Sequence, residues 1–281
     1  MKNLIRILLL ILVISILTSF MEAKKEPIPP GTIKLKDNFY IDRTEMRNID
    51  YREYLFWLDR VYGSNSENYK NAIPDSAVWA CINIVYESNY FSQPKYSDYP
   101  VVGISFEQAK AYCKWRNDRV YEWLMIKNDM VKINPNQNKD TVFTIESFLN
   151  GKYPAKRKLK KEEYYPIPEY KLPTKEEWEY AAAANLDIQK YEYGIKDLAN
   201  KQLNTRENWS NYTVTVIKSE KNDFKLCGMI GNVSEMIDEP GISKGGSWFH
   251  SLNDCKIKND IPYTKSMSWL GFRCVCRWRY K

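Results

Sequence analysis

The last third of the chain sets the tightest limit on its fold. Between Gly228 and Trp278 the stretches GMIGNVSEM, GISKGGSW and WLGFRCVCRW are short, aromatic and punctuated by glycine. Runs of this length and composition form short strands joined by tight turns. The earlier part has a different texture. In RNIDYREYLFWLDRVY, Asn48 can cap a helix with Asp50 and Glu53 near its positive end, and Tyr51, Tyr54, Leu55 and Leu58 form one apolar face. Ser105 and Gln108 have capping-box spacing ahead of Ala109, Tyr112 and Cys113. Thr174 and Glu177 repeat that spacing ahead of Trp178, Ala181 and Ala182. Helices early and strands late predict an α+β domain with much irregular chain.

Between the last two helices lies a polar excursion, residues 127–170, within which TVFTIESFL is expected to form a short element. Loops of this length are usually functional or partly mobile. Its basic run, KYPAKRKLKK, is followed at once by Glu162 and Glu163 and reads as a solvated loop. The net charge of +7 is mild, and no nucleic-acid motif accompanies it, so no nucleic-acid partner is expected. The single histidine, His250, excludes a site built from several histidine ligands.

Residues 1–23 carry Lys2 and Arg6 ahead of an apolar run, as a signal peptide or an N-terminal anchor does. Export to the periplasm or cell envelope is expected, with membrane attachment only through this segment if it stays uncleaved. No cysteine precedes Cys81, so a lipid-modified N-terminal cysteine is not expected. Residues 24–32 read as a Pro-rich linker, and 33–281 as the domain. Six cysteines in an oxidising compartment suggest disulfides, with 15 full pairings open. Cys274 and Cys276, flanking Val275, are expected on opposite faces of a strand and not to bridge each other.

Six segments in order resemble the sulfatase-modifying-factor family, whose founding activity is formylglycine generation. They are FYIDRTEMRNIDYREYLFWL, YPVVGISFEQAKAYCKWR, LPTKEEWEYAA, GMIGNVSEM, GGSW and LGFRCV. The resemblance covers nearly all of the chain after the linker except the excursion. It implies a C-type-lectin-like α+β fold with little regular secondary structure. In the family's oxidases two cysteines bind Cu(I), a soft ion that favours thiolates, and activate oxygen to convert a sulfatase cysteine. Ten residues beyond Gly245, the first glycine of GGSW, stands Cys255, and five further stands Asp260. The first copper position is kept and the second is a carboxylate, a poor Cu(I) ligand.

The resemblance also implies a calcium site at the GNVSE turn, with Asn232, the Val233 carbonyl and Glu235 as oxygen ligands. The residues leave an alternative open, a structural turn in which Glu235 pairs with a buried arginine such as Arg273. Cys113 and Cys274 occupy positions that form a disulfide in some members. Gly245, Gly246 and Arg273 belong to the structural motif. The expected function is an exported, non-catalytic binding or assembly module of the bacterial cell envelope, with an unidentified envelope protein as partner. In texture the chain is closest to the exported non-oxidase members, such as gliding-motility lipoproteins. The alternative is a copper-dependent formylglycine-generating oxidase, with Cys255 binding copper and His250 or Ser251 orienting substrate. Lectin-like glycan binding is a third expectation, from the fold alone.

Overall fold

The structure is a computed structural model that describes residues 27–157, 164–208 and 212–280. The signal or anchor segment and the start of the linker lie outside the described residues. Two four-stranded sheets and a set of mostly short helices make the α+β domain. The first sheet joins β1 (Thr32–Lys36), β2 (Phe39–Asp42), β3 (Ile167–Lys171) and β8 (Val275–Arg279) in the order β1-β2-β8-β3, every pair antiparallel. The second joins β4 (Ser234–Met236), β5 (Ile242–Lys244), β6 (Ile261–Pro262) and β7 (Leu270–Gly271) in the order β6-β5-β4-β7, with β4 and β7 parallel.

The helices form where capping and periodicity place them, with one correction. Helix α1 (Asn48–Tyr62) buries Tyr51, Tyr54, Leu55 and Leu58. Its cap is Arg47, not Asn48: the Arg47 backbone N–H donates to the Asp50 carboxylate. Asn48 is instead buried, its amide donating to the carbonyls of Tyr90 and Tyr96. Two short helices, α2 (Glu67–Lys70) and α3 (Ile84–Asn89), follow. Helix α4 (Phe106–Lys127) starts on the Ser105–Gln108 capping box and buries Ala109, Tyr112 and Cys113. Helix α5 (Ile145–Leu149), capped by Thr144, is the short element of the excursion. Helix α6 (Lys175–Ala183) starts on the Thr174–Glu177 box and buries Trp178, Ala181 and Ala182. The excursion ends sooner than the sequence suggests, because Ile167 already belongs to β3 in the first sheet.

The first sheet divides the interior. Tyr40, Tyr170, Cys274, Cys276 and Trp278 belong to the larger core with α1 and α4. Phe39, Ile41 and Val275 belong to the smaller core with Trp178, Ala181 and Ala182 of α6. Cys274 and Cys276 thus share one side and Val275 takes the other. Alternate residues of a strand face the same way, which corrects the expectation of opposite faces. Burying each large apolar side chain in these cores contributes about 1.5–3 kcal/mol. Asp42 ties the sheet to α4, receiving both Arg116 Nη atoms at 2.8 Å and the Cys274 N–H at 2.9 Å.

Candidate functional site

The GNVSE turn and the GFR segment meet in a buried polar knot between the sheets. Arg273 leaves β7 on the way into β8 and is fully buried. Its Nη2 meets Glu235 Oε1 at 2.5 Å and its Nε meets Oε2 at 2.7 Å. Trp178 of α6 donates its indole N–H to Glu235 Oε2 at 2.8 Å. Nη1 donates to the Asp42 carbonyl, and Nη2 also reaches the carbonyls of Cys227 and Gly228. A bidentate pair with further carbonyl acceptors on both Nη atoms is the kind of arrangement that allows a charge pair to persist without water. The alternative that the sequence left open at Glu235, pairing with Arg273, is the arrangement found.

Asn232 sits at φ +60°, a left-handed conformation that asparagine tolerates. Its amide nitrogen donates to Glu45 Oε1 at 2.8 Å, and its Oδ1 accepts from the Val214 N–H at 2.9 Å and the Asn204 amide at 3.2 Å. These engagements bear on the calcium expectation. A calcium ion takes six to eight oxygens, and here both Glu235 oxygens face a cation and an indole N–H while Asn232 Oδ1 holds two donors. The residues as arranged do not fit a calcium ligand set. Glu45, which the sequence gives no reason to single out, completes the knot. It is 1% exposed, its Oε2 lacks a hydrogen-bond partner among the described residues, and burial pushes its carboxyl up to about 8. The charge of Glu235 adds to that rise and Arg273 opposes it.

The GGSW turn packs beside the knot. Gly245 and Gly246 lie at φ +84° and +64°, in the left-handed region. A Cβ on Gly245 would stand 2.5 Å from the Met229 carbonyl, and one on Gly246 would stand 2.2 Å from Cys255 Sγ. The two glycines therefore let the backbone close over Trp178 and Cys255. The Cys255 thiol is fully buried and donates to the Ser251 carbonyl at 3.2 Å. Burial pushes it up to about 12, so it is a neutral thiol at physiological pH rather than a thiolate. Ser251 is occupied in capping the turn over residues 252–255, and His250 Nδ1 lies 2.7 Å from Ser247 Oγ.

Asp260 is committed elsewhere. Its Oδ1 lies 3.0 Å from Nζ of the fully buried Lys244, and its Oδ2 lies 2.5 Å from Lys175 Nζ. Lys244 also meets Glu179 at 2.9 Å, and Glu179 meets Lys258 at 2.5 Å. This is a chain of three lysines and two carboxylates, and its lysines help hold both carboxyls below the usual range against the opposing effect of burial. Among the described residues no group of three His, Cys, Asp or Glu side chains converges on a common point for a metal ion. A sealed neutral thiol and a carboxylate already holding two ammonium groups do not fit Cu(I).

The structure brings the sulfurs of Cys113 and Cys274 to 3.4 Å, in contact and unbonded. Cys113 comes from the buried face of α4 and Cys274 from the residue before β8. Cys81 is exposed, and Cys227 and Cys276 are buried.

A mixed domain of short strands and capped helices, closed around a buried Arg–Glu pair by GNVSE and GGSW turns, has the architecture that the resemblance implied. The model of the sulfatase-modifying factor enzyme 1-like domain matches residues 14–278, and the chain belongs to that family. No curated protein matches it. Among solved structures it is similar to CarF, at 19% identity and a TM-score of 0.47 over 85% of this chain and 86% of that one. It is similar to Treponema denticola variable protein 1, at 17% identity and a TM-score of 0.46 over 90% and 93% of the two chains. A third is PvdO from Pseudomonas aeruginosa, at 16% identity and a TM-score of 0.44 over 85% and 80%.

Proposed function

We propose that this family member is an exported, non-catalytic binding or assembly module of the bacterial cell envelope. The observation that carries the proposal is the state of the two copper positions. The Cys255 thiol is sealed under Gly246 and protonated, and the Asp260 carboxylate neutralises Lys175 and Lys244. A formylglycine-generating oxidase needs two thiolates able to share a soft metal; Asp260 cannot supply one, and Cys255 lies closed in beneath Gly246. The apolar segment of residues 1–23 supports export, and the cysteine content supports an oxidising compartment. There Cys113 and Cys274 are proposed to form a disulfide, each thiol losing one proton and one electron to an oxidised dithiol-disulfide catalyst. A non-reducing peptide map of protein from the exported compartment is expected to show the Cys113–Cys274 peptide pair; its absence removes that bond.

The functional test has two arms. Mild crosslinking in the native envelope is expected to capture a defined partner, and purely monomeric protein without one opposes the assembly role. Aerobic incubation with Cu(I) and a cysteine-containing sulfatase peptide is expected to leave the peptide mass unchanged. Aldehyde formation that disappears in Cys255→Ser overturns the proposal.

A further inference from the structure

The excursion holds a cavity of about 640 Å3, a size that suits a small ligand. Its walls come from three stretches, residues 132–134, 139–147 and 152–156. Among the described residues four lysines line it, Lys132, Lys139, Lys152 and Lys156, against one acidic residue, Asp140. Lys156 is paired with Asp129. Lys132, Lys139 and Lys152 have no carboxylate within ion-pair distance among the described residues.

These lysines do not hang from a loose loop. Gln137 is buried, donating to Glu122 of α4 at 2.5 Å and accepting from the Phe143 N–H at 2.9 Å. The Arg119 guanidinium of α4 donates to the Phe143 carbonyl. The Lys156 N–H donates to the Met130 carbonyl at 2.9 Å, which ties the far wall to the near one. Phe143, Phe148 and Tyr153 are buried beneath, with the Phe143 and Tyr153 rings edge to face at 5.0 Å. The basic run thus begins on a packed frame, where the sequence suggested only a solvated loop. Lys132, Lys139 and Lys152 are exposed side chains rooted in this frame, and like charges gathered at the rim of one cavity repel each other. An anion of two or more charges seated among them would relieve it, and lysine is a common point-charge partner for phosphate.

We propose that this cavity binds a phosphoryl group carrying at least two negative charges, either of a soluble phosphate compound or of a phosphomonoester lipid headgroup. The proposal is independent of whether the Cys255 region is catalytic. The full chain is titrated with inorganic tripolyphosphate by calorimetry, and in parallel is co-sedimented with vesicles of phosphatidic acid in phosphatidylcholine and of phosphatidylcholine alone. Saturable binding is expected with at least one of tripolyphosphate and the phosphatidic acid vesicles, weakening about tenfold between about 50 mM and about 300 mM salt. The triple variant Lys132→Gln, Lys139→Gln, Lys152→Gln should lose at least about tenfold in affinity. A control triple at exposed lysines elsewhere, Lys190→Gln, Lys218→Gln, Lys265→Gln, removes the same charge and should keep affinity within about twofold. Tripolyphosphate binding identifies a soluble ligand class, and binding of phosphatidic acid vesicles alone identifies the headgroup. Absence of binding to both probes, or equal loss in the two triple variants, overturns the proposal. Unchanged urea midpoints in both variants separate lost binding from lost folding.

Discussion

Replacing Glu45 with glutamine gives the most direct test of the buried knot. In the fold its carboxyl has an apparent value of about 8, against an ordinary value of 4.5. A carboxyl raised on folding binds its proton more tightly in the native state. Its contribution to stability is therefore complete below about pH 4.5 and is lost as pH rises through about 8. The gap between the two values corresponds to at most about 5 kcal/mol. Glu45→Gln keeps an oxygen to accept from Asn232 Nδ2, and its new NH2 group stands where Oε2 had no partner, at a cost of about 1 kcal/mol. The variant should match or slightly trail the wild type at pH 5 and exceed it by about 2–4 kcal/mol at pH 9. Urea unfolding of both proteins across that range gives the difference, in which every other titrating group cancels to first order. Two stability profiles that run parallel from pH 5 to pH 9 would show that Glu45 does not titrate as its burial requires.

Other perturbations address the remaining features. Glu235→Gln leaves the fully buried Arg273 without its counter-ion and should cost about 3–5 kcal/mol in the urea midpoint; a cost under about 1 kcal/mol would mean the pair contributes little. Gly246→Ala forces a left-handed alanine and a Cβ into Cys255 Sγ, so it should destabilise by about 2–3 kcal/mol. Adding Cys255→Ala should recover about 1 kcal/mol through the vacated sulfur space, and strict additivity of the two changes would refute that contact. Brief iodoacetamide treatment of native, reduced protein should label exposed Cys81 and spare Cys255, with Cys255 labelled only after unfolding, as read by peptide mass spectrometry.

The parts of the fold that were legible are those written in local sequence. Capping boxes at Ser105 and Thr174 mark helix starts because the side chain and backbone partners lie three residues apart. The apolar stripes of α1, α4 and α6 follow from their periodicity. Asn48 misled because an asparagine ahead of a helix reads as a cap, while its true partners, the Tyr90 and Tyr96 carbonyls, lie some forty residues away. The end of the excursion was hidden for the same reason. Ile167–Lys171 becomes a strand through pairing with β8 at the other end of the domain. At the candidate site, the family resemblance, counted from Gly245, pointed to Cys255 and Asp260, and the Glu235–Arg273 pair was among the options. Glu45 and Lys244 could not be singled out, since one acid beside Met46 and one lysine beside Gly245 carry no sign that both are buried.

The lysine chain around Asp260 makes the position that the resemblance assigns to a second copper ligand hard to convert to cysteine. Changing Asp260 to cysteine in one step would strip a counter-ion from two lysines together, Lys175 at the surface and Lys244 in the interior. Lys244 would be left to Glu179 alone, itself shared with Lys258. Building a paired-thiolate site therefore needs coordinated changes at 244 and 260, with Gly246 still pressed against the Cys255 sulfur. Coupling of that sort entrenches the carboxylate at 260, so an engineer seeking to place a second thiolate there should begin at Lys244.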